Sequence, residues 1–236
     1  MFFDEYPRFY ETSETSGSSD RLNLRYEAII AENADVFPDA QVMDIASHDG
    51  RWSFAALKSG AANVVGIEAR EDLVRTASEN LAHYGVEAGS YRFIAGDVYS
   101  VLAQEAFEAD VVLCLGFLYH TLRYNELLHR IRGIDPRYLI IDTVVVPEEE
   151  RPIVLLHTEK GDPVKSAARD PFSQGGKKLV GRPSIPALDL VLAAYGFAIE
   201  RYSDWGSLVR DNPGLGHVSG YPDGRRITVR CVSVQS

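Results

Sequence analysis

Cysteine is scarce. Only Cys114 and Cys231 occur in 236 residues, each inside an apolar run, so they read as buried small hydrophobes and exclude a disulfide framework or a cysteine zinc site. No apolar run approaches the roughly 20 residues that span a bilayer. The opening stretch, "MFFDEYPRFYETSETSGSSD", lacks the basic and apolar segments of a signal peptide, so a cytoplasmic location is expected. Basic residues are outnumbered: 24 Lys and Arg face 34 Asp and Glu, a formal net charge of −10. An acidic chain repels phosphate backbones, which disfavours a nucleic-acid partner and favours a small molecule. Length fits one α/β domain with an elaboration.

What is present alternates. Strand-like runs are expected at residues 41–46, 63–68, 91–95, 110–117 and 138–146. Helices are expected over 23–36, 50–59, 72–84, 100–106 and 124–131. Continuous β-branched and aliphatic strands separated by helices imply a mostly parallel, doubly wound sheet. Residues 147–186 break the pattern with prolines, glycines and charges, as a functional or disordered loop would. A helix follows in "IPALDLVLAAYGF", then strands at 198–205 and 226–234. With no helix expected between them, they read as a closing antiparallel pair. The polar first twenty residues read as a mobile arm or a lid.

Glycine is missing where it matters most. In "VMDIASHDGRW" an acid in an apolar strand, Asp44, leads into a turn and a helix. That is how a nucleotide-binding unit begins, yet Ala46 and His48 stand where a phosphate-cradling loop has glycine. A buried carboxylate at Asp44 needs compensation by loop amides or by a cationic ligand. Charge without glycines suits a ligand with a positive centre and no phosphate. Ligands of open α/β sheets bind at strand carboxyl ends, which gathers Glu68, Asp97, the 115–120 segment and Asp142. Glu68 is placed for a ribose, or is a solvated acid; Asp97 is placed for an adenine, or caps a helix.

The order Asp44, Gly50, Glu68, Gly96-Asp97 and "DVVLCLGFLYH" resembles the class I S-adenosylmethionine-dependent methyltransferases. "LGFLYHTLRYNELLHRI" is similar to the tRNA-uridine carboxymethylating subgroup, whose substrate the acidic charge disfavours. The resemblance implies a single domain over 1–236, with a seven-stranded sheet whose last strand is antiparallel, an N-terminal helical arm (1–38) and an insertion (147–186). It implies S-adenosyl-L-methionine held by Asp44, Ala46, Ser47, His48 and Gly50. Glu68 and Ala69 would take the ribose and Asp97 with Val98 the adenine, bordered by Gly116 and Phe117.

O-methylation of a small molecule is the expected chemistry, with His120 as general base; the alternative for His120 is a structural role. His48 and, from the insertion, His157 are weaker candidates. Strand four ends without a carboxylate, and Asp142 has no evident partner acid, so no metal is expected. Tyr6, Phe9, Tyr10 and Arg21 in the arm, and Lys177, Lys178 and Arg182 in the insertion, are candidates for acceptor choice; the plainer reading of the arm's rings is packing. Trp205 is expected to close strand six. The competing functions are N- or tRNA methylation, nicotinamide-dependent oxidoreduction (disfavoured by the missing glycines), and cofactor binding without catalysis.

Overall fold

The computed structural model describes residues 1–13, 18–161, 174–214 and 218–234. Nine strands are found there: β1 Gln41–Ile45, β2 Asn63–Glu68, β3 Tyr91–Ala95, β4 Val111–Leu115, β5 Tyr138–Val144, β6 Val154–Lys160, β7 Lys177–Pro183, β8 Phe197–Tyr202 and β9 Arg226–Ser233. The α-helices are α1 Arg8–Thr12, α2 Ser19–Ile29, α3 Arg51–Lys58, α4 Glu71–His83, α5 Val98–Gln104, α6 Tyr124–Ile134, α7 Ile185–Ala194 and α8 Trp205–Asp211.

Seven strands form one sheet in the order β3-β2-β1-β4-β5-β9-β8. The first five are parallel, and β9 runs antiparallel to both β5 and β8. Every residue of central β4 is buried, as its unbroken aliphatic sequence requires of a strand covered on both faces. One core, including Met43, Ile45, Val112 and Phe117, lies under α5, α6 and α7. The other, including Val42, Leu113, Trp52 and Phe54, lies under α3 and the N-terminal segment. The strand order reverses between β1 and β4, which places a crevice at their carboxyl ends. No helix among the described residues is long and apolar enough to cross a membrane.

Four expectations need correction. The first thirteen residues are an ordered part of the core, with Phe3 and Phe9 fully buried. Their aromatic spacing, not their polar neighbours, governs: Phe9 meets Phe54 at 5.2 Å and Tyr84 at 5.6 Å between ring centroids. The helix expected over 23–36 ends at Ile29, because Asn33 Nδ2 donates to the carbonyls of Ala28 and Ile29; a 3-10 turn, Ala31–Val36, follows. The 147–186 insertion contains an antiparallel hairpin, β6 with β7. Finally, Trp205 opens α8 between the last two strands. Its ring stacks on Tyr221 at 3.5 Å and its Nε1 donates to Thr228 Oγ1, so a tertiary contact decides its place.

Candidate functional site

The loop after β1 keeps the backbone of a glycine-rich turn without the glycines. Ala46, His48 and Gly50 have φ of 56°, 55° and 78°. All three alternate positions are left-handed, where a side chain costs about 1–2 kcal/mol per residue. Only Gly50 has no room for one: an added Cβ would sit 3.0 Å from both Ala77 and Phe93.

Asp44, 1% exposed, enters this loop from β1 and accepts from Ser53 Oγ at 2.7 Å. Burial outweighs that bond and the pull of Arg51, and pushes its carboxyl up to about 7. It is a carboxylate that a nearby cation would stabilise. Ser47 Oγ and His48 Nε2 are buried with no hydrogen-bond partner among the described residues. His48 Nδ1 lies 2.6 Å from Arg51 Nη2. A guanidinium only donates, so Nδ1 accepts and the ring proton sits on Nε2. Polar atoms without protein partners, next to a desolvated acid, suit a polar cationic ligand.

A buried network clamps the arm onto this loop. Arg51, 2% exposed, donates to Asp49 at 2.7 Å and to Ser13 Oγ. Thr12 donates to Asp49 at 2.9 Å. Asn80 Nδ2 bonds Thr12 and the Asp49 carbonyl, and its Oδ1 accepts from Arg8 at 2.6 Å. Burial opposes ionisation of Asp49, but Arg51 and the Thr12 hydroxyl prevail and hold it down to about 2.

Glu68 ends β2 at 3% exposure, accepting from the His48 amide at 3.0 Å and the Arg70 amide at 3.1 Å. It therefore braces the loop. Ala69 is half-buried in the bend that follows. Asp97 caps α5 through the Ser100 amide at 3.3 Å, which starts that helix two residues earlier than expected. Val98 and Phe117 point into the core under α5 and α6. Gly116, φ 80°, turns the chain out of β4; a Cβ there would meet Arg226 at 3.4 Å.

His120 closes the 3-10 turn Leu118–His120 beyond β4. Its Nδ1 lies 2.9 Å from both carboxylate oxygens of Glu159, which comes from β6. Lys178, from β7, pairs with Glu159 at 3.2 Å and donates to the His120 carbonyl. Burial raises the Glu159 carboxyl, but His120 and Lys178 bring it down to about 2. His157 Nε2 stands 3.9 Å from Glu159, on the same face of β6. Sequence reasoning missed Glu159 because the hairpin was not expected; β6 pairing Glu159 with Lys178 is visible only in register.

At the end of β5, Asp142 is fully buried. It accepts from Arg226, Arg25, Tyr221 and Thr228. These donors prevail over burial and hold it down to about 2. Both oxygens are committed to protein, and no group of three His, Cys, Asp or Glu suited to a metal gathers among the described residues. Of the residues considered for acceptor choice, Tyr6 and Phe9 pack on Phe54, and Tyr10 donates to Asp4. Arg21 reaches the Ser219 carbonyl, Lys178 is buried beside Glu159, and Lys177 and Arg182 are exposed.

Residues 42–134 match the family model described as a methyltransferase domain. No curated protein matches the sequence. Magnesium protoporphyrin IX methyltransferase from Synechocystis PCC 6803, solved with bound SAH, superposes with a TM-score of 0.61 at 17% identity, covering 98% of this chain and 94% of that one. An S-adenosylmethionine-dependent methyltransferase from Mesorhizobium loti gives 0.60 at 14% identity, covering 92% and 98%. The cyclase SpnF also gives 0.60, at 15% identity, covering 92% and 82%. The cyclase shows that this fold hosts more than one chemistry.

Proposed function

We propose that this chain, whose fold is that of the class I S-adenosylmethionine-dependent methyltransferases, uses S-adenosyl-L-methionine to methylate an oxygen of a small-molecule acceptor. The observation that carries the reading is the His120–Glu159 pair at the mouth of the crevice. The cofactor residues fit: a left-handed loop, a desolvated Asp44, and orphaned Ser47 Oγ and His48 Nε2. When bound, the sulfonium supplies an electrophilic methyl group.

The chain's own residues do the rest. Glu159 accepts a hydrogen bond from His120 Nδ1–H, which fixes the tautomer and leaves the Nε2 lone pair for the acceptor. Nε2 then takes the hydroxyl proton as the acceptor oxygen attacks, and Glu159 stabilises the imidazolium. Lys178 holds Glu159 in place. The clamped arm and the loop fix the geometry, which is where most of the gain in methyl transfer arises.

The test has two parts. Calorimetry should show SAH binding to the wild type and to His120→Ala with similar affinity. With an acceptor found by screening hydroxylated compounds, His120→Ala should lower kcat by roughly 10²–10⁴-fold. SAH binding with full activity in His120→Ala would remove the base from the mechanism.

A further inference from the structure

The chain carries a net charge of −10, yet buried positive charge collects beside the crevice. Arg25 is 8% exposed and Arg226 is 8% exposed, and both donate to the single carboxylate of Asp142. Arg21 joins them from the preceding turn of α2, with its guanidinium 5.3 Å from the Tyr221 ring centre. Arg25 and Arg226 act on Arg21 as like charges, and Asp142 is the only carboxylate among the groups that weigh most on it. Arg25 and Arg226 thus share one buried acid, and Arg21 lies close by outside that ion pair.

Burying like charges is costly unless something compensates them. Arg25 adds a second, independent sign. Its Nε is buried with no hydrogen-bond partner among the described residues, although its Nη2 pairs with Asp142 and its guanidinium lies 5.0 Å from the Trp52 ring centre. A guanidinium with an unpartnered N–H can donate it to a carboxylate in a charge-assisted hydrogen bond.

The position relates this cluster to the acceptor. Arg226 reaches the Tyr119 hydroxyl at 3.4 Å, and the Tyr119 ring lies 4.2 Å from that of His120. The cluster sits at the end of β5, across β4 from β2, and Arg25 also reaches the start of α3 through Trp52. Resting on the methyl-transfer reading above, we infer that the acceptor is a carboxylic acid. Arg25 and Arg21 hold its carboxylate while its hydroxyl lies at His120.

The probes are 2-naphthoate and its neutral analogue 2-naphthamide, titrated calorimetrically into SAH-saturated protein. The acid should bind and the amide should not. Arg25→Gln and Arg21→Gln should each weaken the acid about tenfold or more, the loss expected for a charged hydrogen bond. SAH affinity should stay unchanged. Arg21 makes no ion pair with Asp142, so its variant keeps the test open if Arg25→Gln fails to fold. Exposed Lys177→Gln should bind like the wild type.

Three results overturn the inference: no binding of the acid, equal binding of acid and amide, or unchanged acid affinity in both arginine variants. A fourth is that Arg25→Gln weakens SAH but not 5′-methylthioadenosine, which lacks the amino-acid end. The cluster would then serve the cofactor's own carboxylate. Should the wild type bind no SAH, the methyl-transfer reading fails by itself. The same titrations on ligand-free protein still decide whether a carboxylate site exists.

Discussion

Substituting Gly50 by alanine tests the loop directly. At φ 78° an alanine is left-handed, which costs about 1–2 kcal/mol. Its Cβ would also press on Ala77 Cβ and Phe93 Cζ at 3.0 Å and on Leu81 Cδ1 at 3.2 Å. Overpacking of this kind adds about 1–3 kcal/mol. Reduced freedom of the unfolded chain returns about 0.4–1 kcal/mol. The expected loss is about 1–5 kcal/mol. For a chain of this length that lowers the melting midpoint by roughly 2–20 °C. Ala46→Gly is the matched control at φ 56°. Relief of about 1–2 kcal/mol is offset by backbone entropy of about 0.5–1 kcal/mol and by part of one methyl's burial, so its midpoint should stay level or rise slightly. Differential scanning calorimetry reads both. Equal midpoints for Gly50→Ala and wild type would refute the left-handed loop, and with it the argument that this loop is built for close approach of a ligand.

Other outcomes follow from the same structure. Asp44 is raised to about 7 in the fold and ionises near 3.9 when unfolded, so wild-type stability falls as pH rises through that window. Asp44→Asn removes the penalty: the ligand-free variant should exceed wild type by a few kcal/mol at pH 8, with the advantage fading toward pH 4, while SAH binding is lost. Equal urea midpoints at both pH values would count against a desolvated Asp44. Asp49 and Asp142 are held down to about 2, so the stability they give is present above pH 4 and disappears between about pH 4 and 2; acid titration followed by circular dichroism should show unfolding in that window. Asn80→Ala removes the bridge between Arg8, Thr12 and Asp49, and limited proteolysis should then cut within the first thirteen residues faster than in wild type. Glu159→Gln keeps the hydrogen-bonding shape but removes the charge behind His120. It should lower kcat by about 10–100-fold and leave SAH affinity unaltered, and a loss of both together would mean a folding defect.

The periodicity of the chain was enough to place the strands of the parallel sheet. The apolar-rich runs at 63–68 and 91–95 coincide with β2 and β3, because local alternation of strands and amphipathic helices leaves few ways to wind right-handed crossovers. The strand-end acids were legible for the same reason. Their partners were legible only in part. Asp97 caps α5, one of the two readings open in the sequence, whereas the meeting of Glu68 with the His48 amide depends on loop conformation. Phe9 looked like part of a polar arm because its neighbours are polar, yet two aromatic residues far away in sequence, Phe54 and Tyr84, give it a buried place.

Sequence alone therefore determined the layer order, the position of the crevice and the acid that enters it, since these follow from hydrophobic period and strand polarity. Tertiary structure decided which charges meet. Glu159 reaches His120 across 39 positions, Arg226 reaches Asp142 across 84, and Arg25 reaches it across 117. Such contacts arise when distant elements pack at the same strand ends, and no local pattern in the chain encodes which side chains will be left facing one another there.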